Sequence, residues 1–385
     1  MILSKRAKNL RPFHVMDILA QAKALSQQGK TIYHMEVGEP DFATAECIVN
    51  AGIDALKQFK THYTPALGLP ELRHAVAEYY DRKFSLNINP ERIIITPGAS
   101  GALQLAMLCL LDAGENVLLT DPGYPCNRNI AQVLAAQTIA IPVSAENAYQ
   151  LDAASLAKYW NDKTRVAMVA TPSNPTGTIL PENQLKEICQ IVEQKKGSLI
   201  VDEIYQGLVY DVEDYTALAI SNECFVINSF SKYFGMTGWR IGWMVVPEFY
   251  VDAIDRIAQN IFLAPPTMSQ HAALTALKAE TQIELDARRD EFKQRRDFLL
   301  PALEQLGFDI AVKPQGAFYI YVNCEKFTND SFNWVKQLLN KQGVALTPGL
   351  DFGDYQANKH CRFAYTQSLD VLERAVDKID AFIRV

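Results

Sequence analysis

The 385 residues of the chain are 49% hydrophobic, so they can bury a large core, and this length commonly divides into two domains. A formal net charge of −7, and the lack of any apolar run near the ~18 residues of a membrane span, argue against nucleic acid and membrane as partners. Seven dispersed cysteines without a CxxC pair, and six histidines without metal-ligand spacing, argue against disulfides and metal and indicate a cytoplasmic protein.

The N-terminus is basic before any acidic residue occurs, with Lys5, Arg6, Lys8 and Arg11. A secretory signal would need a continuous apolar stretch, but polar residues interrupt the segment that follows. Two interpretations stay open, a short organellar presequence or an arm of the folded protein, and we favour the arm. After it, the apolar spacing predicts an amphipathic helix from Val15 to Leu25.

From about residue 48 to residue 246, short apolar runs alternate with helical patterns, which is typical of βαβ units and a parallel sheet covered on both faces. The predicted strands are Arg92–Thr96, Asn116–Thr120, Thr138–Pro142, Val166–Thr171, Ser198–Asp202, Cys224–Ser229 and Ile241–Val246. The predicted helices include Glu71–Phe84, Gly101–Leu111, Arg128–Ala135 and Glu182–Lys195. We therefore predict an α/β fold whose large three-layer domain contains a mostly parallel seven-stranded sheet.

The pattern changes near Thr281, where one long helix with a charged outer face is predicted to run to Leu306. The later elements are strands at Phe318–Asn323 and Cys361–Tyr365 and a helix at Phe332–Lys341. They predict a small α+β domain, built from the C-terminal part and the N-terminal arm. The expected division is a large domain at residues 45–285 and a small domain from residues 1–44 and 286–385.

Polar clusters follow five of the predicted strands, at the carboxyl ends where open parallel sheets bind ligands. The clusters are Thr96–Gly101, Asp121–Pro125, Ser173–Gly177, Asp202–Tyr205 and Ser229–Lys232. Since the carboxyl ends of parallel strands lie along one edge of the sheet, we expect these clusters to converge on one cleft.

The last cluster contains Lys232, and a lysine in a loop is ordinarily only a surface charge. Glycines, hydroxyls and a guanidinium surround it in the sequence: Gly235, Gly238, Gly242, Ser229, Ser231 and Arg240. Glycines let the backbone approach a ligand, while hydroxyl and guanidinium groups bind phosphate. An amine packed among aromatic rings beside a second cation should lose its proton easily, which a Schiff-base lysine requires.

The run from Ser229 to Trp243, with Arg240 eight residues after Lys232, resembles the lysine signature of fold-type I pyridoxal-phosphate enzymes. These are the class I/II aminotransferases of the aspartate aminotransferase superfamily, and the resemblance extends over nearly the whole chain. It implies that pyridoxal 5'-phosphate binds Lys232 as a Schiff base. It also implies ping-pong transfer of the α-amino group from an L-amino acid to a 2-oxo acid.

The resemblance also implies roles around the cofactor ring. Lys232, Asp202 and Tyr205 are the expected catalytic residues, with Asp202 keeping the pyridine nitrogen protonated and Tyr205 hydrogen-bonding the phenolate oxygen. Asn174 is expected to reach the same oxygen and to lie at the substrate, and Tyr124 is expected to stack on the ring. Taken alone, Asp202 could equally be a helix N-cap.

At the phosphate, the resemblance implies a cradle at a helix N-terminus, assisted by hydroxyls and a guanidinium. Its residues are Gly98, Ala99, Ser100, Ser229, Ser231 and Arg240. Tyr63 resembles the tyrosine that a neighbouring subunit lends to the phosphate, which implies a symmetric homodimer. Arg362 matches the arginine that pairs with the substrate α-carboxylate, and Gly38 would bring a backbone amide near that group.

Two other functions share part of this pattern. A C–S lyase or a cyclopropane-forming synthase would use the same cofactor residues. A non-enzymatic regulator would need an added basic helix-turn-helix segment, for which the arm from Met1 to Pro12 is too short. The lyase alternative stays open, but we expect transamination, because that activity dominates proteins with this pattern.

The sequence defines the substrate less well than the cofactor. One branch of bacterial aspartate aminotransferases has a lysine just after the phosphate turn, where this chain has Gly101, which argues against strict aspartate specificity. Phe13, Val15 and the Tyr33–Val37 run are expected to wall the pocket and to favour neutral or aromatic side chains.

Overall fold

A computed structural model describes residues 3–10 and 12–384, so Met1, Ile2, Arg11 of the predicted arm and Val385 lie outside the described residues. The strands are β1 Tyr33–His34, β2 Ile93–Thr96, β3 Asn116–Asp121, β4 Gln137–Pro142, β5 Thr164–Ala170, β6 Ser198–Asp202, β7 Cys224–Ser229, β8 Gly242–Val245, β9 Tyr319–Asn323, β10 Val344–Ala345, β11 Thr347–Pro348 and β12 His360–Ala364. The α-helices are α1 Lys5–Asn9, α2 His14–Gln27, α3 Glu46–Lys57, α4 Pro70–Phe84, α5 Gly98–Leu110, α6 Pro125–Val133, α7 Ala153–Tyr159, α8 Glu182–Gln194, α9 Val251–Ile261, α10 Thr267–Ala276, α11 Ala279–Leu306, α12 Ser331–Gln342 and α13 Leu369–Ile383.

The large sheet contains seven strands in the order β2-β8-β7-β6-β5-β3-β4. The five strands from β7 to β4 run parallel, whereas β8 is antiparallel to both of its neighbours. Each predicted strand overlaps an observed one, and the bounds of β6 and β7 agree with the prediction at both ends. The predicted α/β class with a mostly parallel seven-stranded sheet is therefore confirmed.

Helices cover both faces of this sheet, which explains why its central strands read as continuous apolar runs. Along β6, Leu199 and Val201 pack into one hydrophobic core with α4 and α8, whereas Ile200 packs into a second core with α5 and α9. The edge strand β4 is partly exposed, as expected for a strand with a neighbour on one side only. These layers leave the carboxyl ends of the parallel strands open as a site.

A smaller sheet contains β11, β12 and β9 in that order, and its strands are antiparallel. The N-terminal segment joins this part of the molecule, because Tyr33 of β1 pairs in parallel register with Val344 of β10. Both observations agree with the small α+β unit that the sequence predicts. The division at residue 285 stays a prediction, and it falls inside the continuous helix α11.

The sequence analysis did not predict α1, α3, α7, α9, α10 or α13, nor the two-residue strands β1, β10 and β11. The helical signal was present in α13, where Leu372, Ala375 and Ile379 are buried at helical spacing. The short strands gave no such signal, because each is defined only by its distant partner. Among residues 3–10 and 12–384, no helix combines the length and the apolar character that crossing a membrane requires.

Candidate active site

A cavity of about 380 Å³ lies at the carboxyl edge of the large sheet. From the strand-end clusters it is lined by Ala99, Ser100, Tyr124, Asn174, Asp202, Tyr205, Ser229, Ser231 and Lys232, and also by Arg240. The small sheet and its loops add Tyr319, Thr347, Asp351, Phe352 and Arg362. The structure thus brings the predicted polar clusters together in one cleft.

Lys232 lies in the centre of this cavity, just after β7. Its Nζ donates a hydrogen bond to the carbonyl of Gly38 at 2.7 Å and lies 5.9 Å from the centroid of the Tyr205 ring. Burial, followed by the nearby cation of Arg362, lowers the pKa of Lys232 to about 8. A substantial share of these amines is therefore neutral near physiological pH, which a nucleophile or a base requires.

Asp202 ends β6 at the floor of the cavity. Its Oδ1 accepts a hydrogen bond from the backbone N–H of Ile204 at 3.1 Å, and burial raises its pKa to about 6. No α-helix begins there, since residues 204–207 form a turn, so the helix-cap interpretation of Asp202 is wrong. A buried carboxylate of this kind is stabilised by a cationic N–H donor, such as a protonated pyridine nitrogen.

Two buried tyrosines stand beside the lysine. The Oη atoms of Tyr205 and Tyr319 are 2.8 Å apart, so one hydroxyl donates to the other. Burial raises the pKa of both groups, which keeps both hydroxyls protonated and able to donate. The sequence analysis assigned no role to Tyr319, although it predicted the strand that carries it.

Arg362 is buried on β12, with its guanidinium over the rings of Tyr319 at 4.2 Å and Phe352 at 4.9 Å. Its hydrogen-bond acceptors are neutral: Asn174 Oδ1 at 2.8 Å, the Glu36 carbonyl at 2.5 Å and Thr347 Oγ1 at 3.2 Å. Within the described residues its Nε is buried without a partner, and no carboxylate forms an ion pair with it. A cation held in this way fits an anionic ligand such as a carboxylate.

Helix α5 begins at Gly98 without a side-chain cap and without an acidic residue in its first turn, so its N–H groups are available to an anion. Gly98 has a φ of +70°, and a Cβ there would lie 2.5 Å from Nη2 of Arg240. A Cβ on Gly242 would lie 3.0 Å from the amide nitrogen of Ala99. Because both positions are glycine, the N-terminus of α5 can pack closely against the Arg240 guanidinium and against β8.

The hydroxyls of Ser229 and Ser231 lie beside this cradle and are 3.0 Å apart. Helix N–H groups, two hydroxyls and a guanidinium together form a suitable site for a phosphate dianion. Two of the glycines in the lysine run do not take part as expected. A Cβ on Gly238 would meet open space, and Gly235, at φ +65°, faces Arg288 instead. Only Gly242 brings the backbone to the cradle.

Of the remaining predicted site residues, Tyr124 and Gly38 lie at the cavity and Tyr63 does not. Tyr124 lines the cavity at the start of α6, and Gly38 lies against Tyr319, where an added Cβ would be 1.7 Å from its Oη. Tyr63 does not line the cavity and is 82% exposed. An exposed tyrosine is the arrangement that a contribution to another subunit requires.

Several lining residues escaped the sequence analysis, notably Asp351 and Phe352. The signal was the pair of glycines in Gly349-Leu350-Asp351-Phe352-Gly353, because a Cβ on Gly353 would lie 1.6 Å from Oδ1 of Asp121. Two glycines indicate a close approach, but the partner lies more than two hundred residues away in the chain. The spacing of residues along the sequence therefore could not show that this partner is Asp121.

A further part of the cavity lining is apolar. It contains Phe13, Val15, Met16 and Leu19 from the start of α2, together with Val37 and Leu103. Phe13 and Val15 thus lie where the sequence analysis expected them, whereas Tyr33 does not line the cavity. Among the described residues, the only cations that line it are Lys232, Arg240 and Arg362.

Residues 30–379 match the family model of aminotransferase class I and II. The chain is 37% identical to a (5-formylfuran-3-yl)methyl phosphate transaminase from Methanocaldococcus jannaschii, over 99% of this chain and 100% of that protein. It is 36% identical to a valine–pyruvate aminotransferase from Mycobacterium tuberculosis, over 97% and 96% of the two chains.

The chain is also similar to solved structures of aminotransferases. The crystal structure of an aminotransferase from Mycobacterium tuberculosis is similar with a TM-score of 0.96 at 35% identity, covering 100% of this chain and 99% of that one. The aspartate aminotransferase from Thermus thermophilus with maleate has a TM-score of 0.94 at 30% identity, covering 99% of each chain. The similarity thus includes both sheets and the cleft between them.

The pKa of Lys232 generates a first prediction. In cofactor-free protein, labelling of Lys232 by an amine-selective reagent should accelerate with pH, with a midpoint near 8, because burial and Arg362 disfavour the ammonium form. Peptide mapping at each pH measures the rate. Arg362→Gln should raise the midpoint, and a wild-type midpoint near the ordinary 10.5 would contradict the prediction.

A second prediction concerns Gly38. Gly38→Ala should lower kcat/KM by about 100-fold, because its Cβ must displace the Tyr319 hydroxyl and the carbonyl that holds Lys232. Gly238→Ala is the matched control, since its Cβ meets open space. Steady-state kinetics of both variants test this, and equal activity of the two would show that the close approach at Gly38 is unimportant.

Proposed function

Because the chain belongs to the class I and II aminotransferases, we propose that it transfers the amino group of amino acids whose side chains are uncharged and largely apolar. Membership in the family establishes amino-group transfer between an amino acid and a 2-oxo acid, with pyridoxal 5'-phosphate as cofactor. The substrate class rests on one observation, the apolar wall of a cavity whose three cations already have other uses. The relatives are named as transaminases, which favours transamination over the lyase alternative.

The residues of the cavity fit the cofactor. When bound, pyridoxal 5'-phosphate supplies an electron sink that stabilises negative charge at the substrate Cα. Asp202 would hold the ring nitrogen, Tyr205 and Asn174 the phenolate oxygen, and Tyr124 one face of the ring. The phosphate would lie in the cradle formed by Gly98, Ala99, Ser100, Ser229, Ser231 and Arg240, whose parts can approach one another closely because Gly98 and Gly242 have no Cβ.

Lys232 is the proposed covalent attachment point and the base. With a pKa of about 8, its Nζ can be neutral at working pH and take the proton from the substrate Cα. The Gly38 carbonyl, 2.7 Å from Nζ, holds the amine at the centre of the cavity. A positioned base contributes about 10²–10⁴ in rate, so the orientation of this one amine has a large effect.

Arg362 is the proposed partner of the substrate α-carboxylate. Its stacking on Tyr319 fixes the guanidinium plane, and its neutral acceptors leave its charge available. Arg240 is assigned to the phosphate and Lys232 to the base, so the described residues offer no further lining cation for a second carboxylate. The apolar side chains on α2 support an uncharged substrate side chain instead.

We further propose a homodimer in which Tyr63 reaches the phosphate of the partner subunit. The segment that carries this exposed side chain is anchored to α10. Thr267 Oγ1 donates to the His62 carbonyl at 2.8 Å, and Gln270 Nε2 donates to Thr64 Oγ1 at 3.0 Å. A large apolar side chain presented on a fixed segment is typical of an interface residue.

Two expectations from the sequence belong to the same proposal. One is the division into a large domain at residues 45–285 and a small domain from the two ends of the chain, which would close over the cleft. The other is a cytoplasmic location, supported by seven cysteines that are all free thiols.

The proposed substrate class is tested with the twenty amino acids. Each is mixed with the holoenzyme, and the absorbance change of the bound cofactor gives the rate of the first half-reaction. We expect aromatic and branched aliphatic amino acids to react at least about 10-fold faster than aspartate and glutamate, since an apolar wall cannot solvate a second carboxylate. Aspartate or glutamate as the best substrate would reject this class while leaving transamination intact.

The proposed role of Tyr63 is tested with mixed dimers. Lys232→Ala homodimers should have no measurable turnover, and Tyr63→Ala homodimers should bind cofactor about 10-fold more weakly through loss of a phosphate contact. In a dimer of one chain of each variant, the functional Lys232 site then receives Tyr63 from the Lys232→Ala chain. Wild-type cofactor affinity of that site supports the exchange, whereas the affinity of the Tyr63→Ala homodimer would contradict it.

A further inference from the structure

Building on the proposed function, we infer that Asp351 positions the apolar wall of the substrate cleft by capping the N-terminus of α2. This helix has Phe13 at its N-cap position, which supplies no side-chain hydrogen bond. The first N–H groups of a helix have no partner within the helix, so they need an acceptor from elsewhere. Asp351 supplies that acceptor from the opposite end of the chain.

The geometry is that of a two-oxygen cap. Asp351 Oδ1 accepts the backbone N–H of His14 at 2.6 Å, and Oδ2 accepts the backbone N–H of Val15 at 2.8 Å. Both carboxylate oxygens are therefore used, and the negative charge lies at the positive end of the helix dipole. Asp351 is only 3% exposed, so these bonds form in a region with little water.

The backbone that carries the cap is itself fixed to the large sheet. Arg128 of α6 donates from Nη2 to the Asp351 carbonyl at 2.5 Å and from Nη1 to the Phe352 carbonyl at 3.0 Å. Phe352 in turn stacks on the guanidinium of Arg362. One short segment therefore fixes both the start of α2 and a wall of the site proposed for the α-carboxylate.

The first turn of α2 has little packing of its own. The buried residues of this helix are Ile18 and Ala22, which follow the first turn, while Met16 is 56% exposed. Besides the cap, the His14 ring packs against the Phe332 ring, with 4.9 Å between the two ring centroids. Yet the cleft-lining side chains Phe13 and Val15 lie in or beside this turn. Their position over the substrate therefore depends strongly on the cap.

Asp351 is thus a positioning residue, because its oxygens bind helix N–H groups rather than the substrate. It sets the distance between the α-carboxylate site at Arg362 and the apolar wall on α2. A substrate with a long apolar side chain would contact both Arg362 and the apolar wall on α2, whereas alanine would contact only Arg362. Loss of the cap should therefore weaken binding of large apolar amino acids selectively.

Asp351→Asn tests this, since it keeps the shape but loses the charge and one acceptor oxygen. In the holoenzyme, KM for phenylalanine and leucine should rise at least about 10-fold, the loss expected for a hydrogen bond to a charged group. KM for alanine and kcat should stay close to wild type. Asp152→Asn is the matched control, because Asp152 caps α7 through Ser155 N at 2.7 Å and does not line the cleft. An equal rise for alanine and phenylalanine, or no rise, would overturn the inference.

A second pair of variants leaves Asp351 unchanged. His14→Pro and His14→Ala both remove the imidazole, but only proline removes the N–H that Asp351 accepts, and proline is well tolerated at the first helical position. His14→Pro should therefore raise the phenylalanine KM further than His14→Ala does. Equal KM values for the two variants would contradict the cap.

Hydrogen exchange separates this inference from the proposed substrate class. The amides of His14 and Val15 should exchange faster in Asp351→Asn than in wild type, whichever amino acid the enzyme prefers. Unchanged exchange would reject the cap alone. A wild-type preference for aspartate, with faster exchange in the variant, would reject the substrate class and keep the cap.

Discussion

The guanidinium of Arg362 is buried between aromatic rings and is hydrogen-bonded only to neutral oxygens. One of these acceptors, Asn174, is 188 positions away in the sequence. Burying a cation without a counter-ion is costly, so its surroundings must supply hydrogen bonds and ring faces without neutralising its charge. The opposite condition applies to Lys232, which is partly buried nearby and donates to a carbonyl, because its surroundings lower its pKa and favour the neutral amine. Much of the architecture around the cleft therefore keeps the Arg362 guanidinium charged and available to an anion, and holds the Lys232 amine in one orientation.

The long helix α11 shows how distant segments meet this requirement. Arg295 on this helix is 1% exposed, pairs with Asp41 at 2.8 Å and donates to the Thr366 carbonyl at 2.7 Å. Asp41 belongs to the loop whose Gly38 holds Lys232, and Thr366 follows the strand that carries Arg362. One buried guanidinium therefore ties together the loop that holds the Lys232 amine and the segment that follows the strand of Arg362. Breaking such a buried pair is strongly destabilising, which gives the loop a fixed position.

The ends of the cleft that we propose for the cofactor and for the substrate differ in how the sequence encodes them. Ser229, Ser231, Lys232 and Arg240 lie within one loop, so their spacing could be recognised in the sequence. The substrate end combines α2 near the N-terminus with Asp351, Phe352 and Tyr319 from the small sheet and its loops. No local pattern links these segments, and the contact of Asp351 with the start of α2 joins residues that are 337 positions apart.

The sequence by itself determined the α/β class, the seven strands of the large sheet and the polar clusters that line the cleft, because apolar runs and strand-end clusters are local properties. Only the tertiary structure decided which glycines of the lysine run approach the cradle, and that Asp202 caps no helix. It alone brought Tyr319 and Asp351 into the cleft. The physical reason is that close approach and side-chain capping depend on which distant surfaces meet, and packing of the whole chain decides this. Lys232 illustrates both parts, since its motif is local but its lowered pKa arises from burial and from Arg362.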